Sequence, residues 1–308
     1  MKILVTGGAG FIGSHIVDAL IERGDEVIVV DNLSTGLKDN VNPKAKLYEM
    51  SITETRLTEV FEQEMPDMVS HHAAQVNLRR SVDEPQFDAE VNILGSINVI
   101  VNSVRHGVKK LIYASSGGAV YGEPQYLPVD ESHPVNPVSQ YGVSKHTVEH
   151  YLYSYIQYGL NYVILRYPNV YGPRQNPEGE AGVIAIFARQ MLLGERPSIF
   201  GPGDKTRDYT HVSDIVGVHL LAMERGSNAV YNIGTGVETS DQEIFDAMAQ
   251  ALGYKDTPLY IAVRPGEIQR ICLNYNKAKN ELGWSPKLSL KEGIQKTVPY
   301  YKSLGVGR

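Results

Sequence analysis

The sequence TGGAGFIG, at residues 6–13, decides the fold class of this chain. It follows a short apolar run and precedes apolar positions with helical spacing at residues 11–23, a pattern that predicts a strand, a tight turn and a helix. Gly8, Gly10 and Gly13 have the G-x-G-x-x-G spacing, which allows a tight turn, a close approach of the backbone to a pyrophosphate, and packing of the helix on the strand. The N–H groups and the positive dipole at the start of that helix attract phosphate.

Asp31 adds a second element to this pattern. It ends the predicted second strand, at residues 26–31, about 20 residues beyond the glycine turn, where a nucleotide-binding βαβ unit carries an acidic residue. A carboxylate there accepts hydrogen bonds from the ribose hydroxyls of adenosine and repels a 2′-phosphate. The sequence therefore predicts that the cofactor is NAD in preference to NADP.

Strands and helices alternate through the first part of the chain. Further strands are expected near residues 47–50, 67–71, 110–115 and 162–167, and helices near residues 53–63, 87–104 and 139–157. Continuous apolar strands between helices are typical of a parallel sheet that is covered on both faces. The chain after Pro168 is richer in turns. Its predicted elements are helices near residues 182–193, 241–252 and 290–301 and a strand at 229–233 that returns to the main sheet.

We therefore expect an α/β fold with a doubly wound parallel sheet and a smaller α/β lobe. The sheet is expected to form an NAD-binding domain from residues 1–168 and about 209–234. The smaller, substrate-binding lobe is expected to come from about residues 169–208 and 235–308, with no low-complexity linker between the two.

The composition limits the class of protein. The 308 residues carry a formal charge of −6, from 29 basic and 35 acidic side chains. A protein that binds nucleic acid usually carries a basic surface, so this charge argues against a nucleic-acid partner. The one cysteine, Cys272, can form no internal disulfide and no cysteine-based zinc site, and no metal is expected. No apolar run approaches the roughly 18 residues of a membrane span, and the N-terminus has no signal-peptide core. The expected location is therefore the cytoplasm, without a membrane partner.

Tyr141 and Lys145 are four residues apart in the predicted helix at 139–157, so their side chains share one face. A free phenol has a pKa of about 10 and is a poor base at neutral pH. A nearby ammonium group favours the phenolate, as does the positive nicotinamide ring of NAD. The pair can therefore remove a proton from an alcohol. Ser115 and Ser116, at the end of the fifth predicted strand, add hydroxyl groups to the pattern.

Motifs along nearly the whole chain resemble those of one family. They are TGGAGFIGSH at residues 6–15, VVDNLSTG at 29–36, HHAAQ at 71–75, VNILGS at 91–96, SSGGAVYGE at 115–123, YGVSK at 141–145, LRYPNVYGPRQ at 165–175, RDYTHVSD at 207–214 and KAKNELGW at 277–284. With these motifs the chain resembles the extended short-chain dehydrogenases/reductases, and RDYTHVSD and LRYPNVYGPRQ mark the nucleotide-sugar enzymes within that family. The resemblance implies a Rossmann sheet and an NAD-dependent epimerase that inverts C4 of a UDP-hexose, UDP-glucose or UDP-galactose, through a transient 4-keto intermediate.

The resemblance also implies roles for individual residues. Tyr141 is the implied proton acceptor, and Lys145 is implied to hold the nicotinamide ribose. The family usually has serine or threonine at the position of Gly117, so Ser116 or a water molecule is expected to supply the third catalytic hydroxyl.

The residues implied to line NAD are Gly7, Gly10, Phe11, Ile12, Gly13, Asp31, Asn32, Ser34, Thr35, Gly36, Ser51, Ile52, Ala73, Ala74, Gln75, Asn92, Ser115, Tyr141, Lys145 and Pro168. Those implied to contact the UDP-hexose are Ser116, Gly117, Tyr141, Asn169, Arg207, Arg264 on the diphosphate and Glu267 on the uridine ribose. The family also implies a homodimer, formed through the helices at 87–104 and 139–157.

Other functions fit parts of the pattern. A UDP-N-acetylhexosamine 4-epimerase is one, because Ile271, at the position that lines the acetamido pocket, is neither very small nor as bulky as tyrosine. Another NAD-dependent nucleotide-sugar epimerase or dehydratase is a second, although Gly117 and Gly118 stand where dehydratases have an acidic pair. A non-catalytic dinucleotide-sensing protein is a third, and it has no need of Tyr141 together with Lys145.

Overall fold

A computed structural model describes residues 1–178, 182–263 and 268–305 of the chain. In chain order its strands are β1 (Lys2–Thr6), β2 (Glu26–Asp31), β3 (Lys46–Glu49), β4 (Met68–His71), β5 (Lys110–Ser116), β6 (Asn161–Tyr167), β7 (Asn169–Tyr171), β8 (Ser198–Phe200), β9 (Thr206–Arg207), β10 (Tyr209–His211), β11 (Ala229–Asn232), β12 (Thr239–Ser240) and β13 (Leu259–Ile261). A seven-stranded parallel sheet runs in the order β11-β6-β5-β4-β1-β2-β3. The carboxyl ends of its strands therefore meet along one edge.

Helices cover both faces of this sheet, which confirms the predicted doubly wound α/β fold. They are α1 (Phe11–Glu22), α2 (Leu57–Glu64), α3 (Leu78–Asp83), α4 (Pro85–Ala89), α5 (Gly95–Arg105), α6 (Gly117–Val120), α7 (Gln140–Ser154), α8 (Val183–Leu192), α9 (Val212–Glu224), α10 (Asp241–Leu252) and α11 (Leu290–Ser303). One face packs against α1 and α9, and the other packs against α2, α5 and α7.

The alternation of side chains along β1 shows why the buried strands are apolar throughout. Ile3 and Val5 belong to the core under α1 and α9, whereas Leu4 belongs to the core under α2, α5 and α7. Successive side chains of a strand point to opposite faces, so a strand covered on both faces has no polar positions to alternate with.

The helix expected at 87–104 is confirmed, and the structure adds a π-helical turn inside it. It consists of α4, a π-helical turn at Glu90–Leu94, and α5. The wider π turn changes the helical register, as such turns often do beside functional sites. The buried Asn92 lies within it, and Gly95 follows, where an added Cβ would lie 2.8 Å from the Ile52 side chain.

The chain beyond β6 builds a second core and returns once to the sheet. Helices α8, α10 and α11 pack together around Phe187, Phe245 and Ile294. The strand β11 pairs with β6, as the sequence predicted for residues 229–233. Across the ranges that the structure describes, no helix is long and apolar enough to cross a membrane.

Candidate active site

The glycine turn joins the carboxyl end of β1 to the start of α1 and packs against the segment that follows β4. Gly7 has a φ of +71°, and a Cβ there would lie 2.6 Å from the backbone nitrogen of Ala73. A Cβ on Gly13 would collide with the carbonyl oxygen of Gly7. Only glycine fits these two positions, because the backbone segments approach each other too closely for any side chain. Helix α1 begins after Gly10 without a side-chain cap, so its first N–H groups are available to a phosphate.

Asp31 holds the glycine turn against the end of β2. Its buried carboxylate accepts hydrogen bonds from the backbone N–H groups of Ala9 (2.9 Å) and Leu33 (2.9 Å). Gly36 packs on Ala9, where an added Cβ would lie 2.8 Å from the alanine Cβ. The other side chains predicted to surround adenosine lie on the exposed part of the same loop and are Asn32, Ser34 and Thr35.

Asn92 fixes the loop that follows β4. Its side-chain oxygen accepts from the backbone N–H of Gln75 (2.8 Å), and its amide donates to the carbonyl oxygen of Gln75 (2.9 Å). The backbone N–H of Ala73 donates to the Thr6 hydroxyl (3.2 Å), which ties the loop to the end of β1. The predicted cofactor residues Ala73, Ala74 and Gln75 are therefore placed along the same sheet edge as the glycine turn.

This arrangement fits a bound NAD. The glycine turn leaves no room for side chains where a diphosphate needs close backbone contact, and the uncapped start of α1 provides its N–H groups. Asp31 stands beside the turn at the end of β2. Farther along, Ser51 bonds Thr53 through its hydroxyl (2.8 Å), and Ile52 is buried beneath Gly95.

Tyr141, Lys145 and Ser116 come together at the carboxyl end of β5. Helix α7 begins at Ser139, whose hydroxyl accepts from the N–H of Gly142 (3.1 Å). The Lys145 Nζ donates to the carbonyl oxygen of Ala114 in β5 (2.9 Å) and lies 5.8 Å from the centre of the Tyr141 ring. The Ser116 hydroxyl lies near enough to the Tyr141 phenol to lower its pKa.

Lys145 is buried and Tyr141 is half-buried, and their surroundings shift both pKa values. Burial lowers the pKa of Lys145 to about 8, although the negative charges of Asp88 and Glu149 act to raise it. Burial, followed by the charge of Asp88, raises the pKa of Tyr141 above its ordinary value, and the nearby Ser116 hydroxyl acts to lower it. The phenol therefore needs a further positive charge beside it to act as a base near neutral pH.

Ser115 has a different environment from Ser116. Its hydroxyl is buried and donates to the Glu149 carboxylate (2.6 Å), which also pairs with Arg166 through its Nε (3.0 Å). The Arg166 Nη1 in turn donates to the Tyr121 hydroxyl (2.7 Å). Ser115 is therefore part of a buried ion-pair network, whereas Ser116 contacts the phenol.

Gly117 packs against the side chain of Leu273. A Cβ there would collide with a terminal methyl group of Leu273, so a serine or threonine at that position requires the Leu273 side chain to move. A Cβ at Gly118 would lie 3.6 Å from the side-chain oxygen of Asn169 and 4.0 Å from the Ser116 hydroxyl. The hydroxyl near the phenol is consequently that of Ser116.

The residues predicted to contact the substrate lie partly in the described chain. Asn169 begins β7, next to the half-buried Pro168, and donates its N–H to the carbonyl oxygen of Asp208 (3.0 Å). The Arg207 guanidinium donates to the carbonyl oxygens of Thr206 (2.7 Å) and Ile268 (2.6 Å). The other two predicted contacts, Arg264 and Glu267, lie outside the described residues.

Two acidic residues of the site were not singled out from the sequence. Asp88 accepts a hydrogen bond from Asn92, and Glu149 accepts one from Ser115. The available signal was their spacing, since Asp88 precedes Asn92 by four positions and Glu149 follows Lys145 by four. Among the residues that the structure describes, no group of three or more His, Cys, Asp or Glu side chains could hold a metal ion.

Replacing Gly13 by alanine should weaken NAD binding by about tenfold or more, equivalent to roughly 1.4 kcal/mol. The added methyl group meets the Gly7 carbonyl oxygen and pushes the turn away from α1. Calorimetric titration with NAD measures the change. Gly217→Ala is the matched control, because a Cβ at that position in α9 has open space around it. Equal NAD affinity in both variants would contradict the assignment of the turn.

Proton transfer by a tyrosine beside a lysine, at a sheet edge that also carries a dinucleotide turn, is the chemistry of dinucleotide-dependent oxidoreductases and their relatives. Fold and site place the chain in that class of enzyme. A model of the NAD-dependent epimerase/dehydratase family matches residues 3–234. The chain belongs to this family, and its cofactor is NAD.

Individual relatives agree with that placement. A putative UDP-glucose 4-epimerase from Methanocaldococcus jannaschii is 50% identical over 98% of this chain and 98% of its own length. The crystal structure of a UDP-glucose 4-epimerase from Thermotoga maritima with UDP-glucose is similar with a TM-score of 0.97, at 49% identity over 99% of each chain. That of a Thermus thermophilus UDP-glucose 4-epimerase in complex with NAD is similar with a TM-score of 0.93, at 43% identity over 98% of this chain and 99% of the other.

Proposed function

We propose that the protein is an NAD-dependent 4-epimerase that interconverts UDP-glucose and UDP-galactose. The observation that carries the proposal is the convergence of Tyr141, Lys145 and Ser116 at the carboxyl end of β5. These side chains can move a proton on and off one sugar oxygen. The end-to-end similarity to UDP-glucose 4-epimerases supports the choice of substrate.

In the proposed reaction the Tyr141 phenolate accepts the proton of the sugar 4-hydroxyl. The Lys145 ammonium, held by the carbonyl oxygen of Ala114, stabilises that phenolate by its charge. The Ser116 hydroxyl orients the phenol and can donate to the sugar 4-oxygen. When bound, NAD supplies a reversible hydride acceptor for C4 and a positive charge that favours the phenolate. Tyr141 returns the proton once the 4-keto sugar has turned to present its opposite face.

The turning of the sugar requires that the UDP part stay in place. We propose that Asn169 and Arg207 contact it, together with Arg264 and Glu267. A guanidinium suits a diphosphate because its planar N–H groups can bind two oxygen atoms at once. Gly118, beside Asn169, leaves the space near the reacting carbon free of a side chain. Its neighbour Gly117 likewise offers no acid or base, which favours epimerisation over dehydration.

Incubation with single UDP-sugars tests this function. We expect UDP-glucose and UDP-galactose each to give the same equilibrium mixture, separated by chromatography, with no net consumption of NAD. UDP-N-acetylglucosamine is the comparison substrate. Ile271, which is buried, is neither very small nor as bulky as tyrosine, so the experiment decides whether an acetylated sugar is accepted. No interconversion of either hexose would overturn the proposal, and turnover of the acetylated sugar alone would replace it with the alternative.

The finer organisation of the enzyme is also proposed. We assign NAD binding to residues 1–168 and about 209–234, and substrate binding to the rest. A homodimer through the helical segments at 87–104 and 139–157 would cover apolar side chains that are exposed there, among them Leu94, Val143 and Tyr151. Light scattering that gives a monomer at micromolar concentration would exclude this dimer.

We also propose that the protein is cytoplasmic. The buried free thiol of Cys272 suits that reducing compartment, and fractionation of cells tests the location.

A further inference from the structure

We propose that Asp88 is a positioning residue for the reaction, a buried carboxylate that fixes the cofactor loop and supplies the counter-charge of the Lys145 ammonium. The inference rests on the proposed roles of Tyr141 and Lys145. It adds a buried acidic group, held by Gln75, Asn92 and Ser144, to the residues around the catalytic pair.

The hydrogen bonds of Asp88 connect two parts of the site. The residue lies in α4 and is fully buried. Its Oδ1 accepts from the side-chain amides of Gln75 (3.0 Å) and Asn92 (2.9 Å), which belong to the predicted cofactor site. Its Oδ2 accepts from the hydroxyl of Ser144 (2.6 Å), the residue immediately before Lys145 in α7. One carboxylate thus fixes the position of the cofactor loop relative to the catalytic helix α7.

The donors to Asp88 are neutral, and this distinguishes it from the second acid of the site. Glu149 also lies near Lys145, but its charge is offset by the ion pair with Arg166. Asp88 receives two amide donors and one hydroxyl. Its negative charge therefore acts on Lys145 and Tyr141 across a buried region, where charges are screened less than in water.

The charge of Asp88 acts on both members of the catalytic pair in the same direction. It opposes the effect of burial on the pKa of Lys145, and it adds to the effect of burial on the pKa of Tyr141. Removing the charge should lower both pKa values. The titratable groups around the pair are Asp88 on α4, Glu149 on α7, Tyr113 on β5, and His71 and His72 at the end of β4.

In the proposed reaction, with the positive charge of NAD beside the phenol, the working form of the site has Tyr141 deprotonated and Lys145 protonated. The acid limb of the pH profile of kcat/KM then reflects Tyr141, and the alkaline limb reflects Lys145. Asp88→Asn should move both limbs to lower pH by about one unit, the usual effect of one nearby charge. The asparagine oxygen can still accept from Gln75 and Asn92, and the Ser144 hydroxyl can turn to accept from the new amide. We therefore expect NAD to stay bound and KM for the UDP-sugar to change little.

Ser144→Ala is the matched control, because it removes one of the three hydrogen bonds of Asp88 and leaves the charge. Its pH profile should keep the position of the wild-type profile, even if kcat falls. If kcat/KM of Asp88→Asn falls at every pH but both limbs stay at their wild-type pH, the proposal is overturned, because Asp88 then has a structural role alone. A shift of equal size in Ser144→Ala would overturn it as well.

A second measurement does not depend on the substrate. The ultraviolet absorbance of phenolate, compared between the NAD-bound protein and its Tyr141→Phe variant, follows the ionisation of Tyr141 alone. The same comparison in the Asp88→Asn background should show ionisation at lower pH by about one unit. An unchanged ionisation would overturn the role of Asp88. If neither hexose is interconverted, the proposed function fails, and this titration still decides whether Asp88 acts on Tyr141.

Discussion

Replacing Tyr141 by phenylalanine should lower kcat for the interconversion of UDP-glucose and UDP-galactose by about 10²–10⁴-fold, the usual contribution of a positioned acid–base group. The ring keeps its place on α7, and Lys145 keeps its bond to Ala114, so NAD should remain bound. We expect kcat to fall and KM to change little, because the missing hydroxyl acts on the sugar proton only during the reaction. Steady-state kinetics and calorimetric titration with NAD measure the two effects separately.

Tyr153→Phe provides the control for that experiment. Tyr153 lies on the same helix, and 69% of its surface is exposed. Its variant should keep the wild-type kcat. Wild-type turnover by the Tyr141→Phe protein would assign the base to another group. An unmodified protein without turnover, with NAD bound, would instead favour the dinucleotide-sensing alternative.

Replacing Arg166 by methionine should destabilise the protein by about 3–5 kcal/mol, the usual cost of breaking a buried ion pair from one side. Arg166 is 5% exposed, and its loss leaves the Glu149 carboxylate buried without its cation. It also removes a donor from the Tyr121 hydroxyl. Unfolding in urea, followed by circular dichroism, measures the free energy of unfolding.

The control for this second prediction removes both charges. The double variant Arg166→Met with Glu149→Gln should recover part of the lost stability, because no unpaired charge stays buried. A single variant as stable as the wild type would contradict the importance of the pair.

The ion pair between Arg166 and Glu149 should also be visible in how the free energy of unfolding depends on pH. Burial raises the pKa of Glu149, but hydrogen bonds from His146 and Arg166 outweigh it and bring the pKa to about 2. The folded value is below the unfolded value of about 4.3, so the contribution of Glu149 is complete above that pH and is lost as the pH falls toward 2. The Arg166→Met protein should show much less of this acid-dependent loss.

Several features of the site were predictable because they depend on residues close together in the chain. The spacing of Gly8, Gly10 and Gly13 follows directly from the geometry of a turn between a strand and a helix. Tyr141 and Lys145 share a face because four residues span about one helical turn. The predicted cofactor class and the doubly wound fold followed from such local patterns.

Other features depended on contacts between distant segments. The glycine at position 117 packs against Leu273, which lies far along the chain and whose terminal methyl group occupies the space of a Cβ. Ser115 and Ser116 were equivalent in the sequence, but one donates to Glu149 and the other contacts Tyr141. Adjacent strand residues point to opposite faces, and only the packing of the sheet decides which face is the site.

The sequence by itself determined the class of fold, the glycine turn, the acidic residue after β2 and the Tyr141–Lys145 pair, because each is written in short-range spacing. The tertiary structure decided the π-helical turn around Asn92 and the burial of Asp88 between the cofactor loop and α7. These depend on where three separate segments meet. A buried carboxylate acquires its influence from the groups packed around it and from its distance from water, and neither is a property of spacing along the chain.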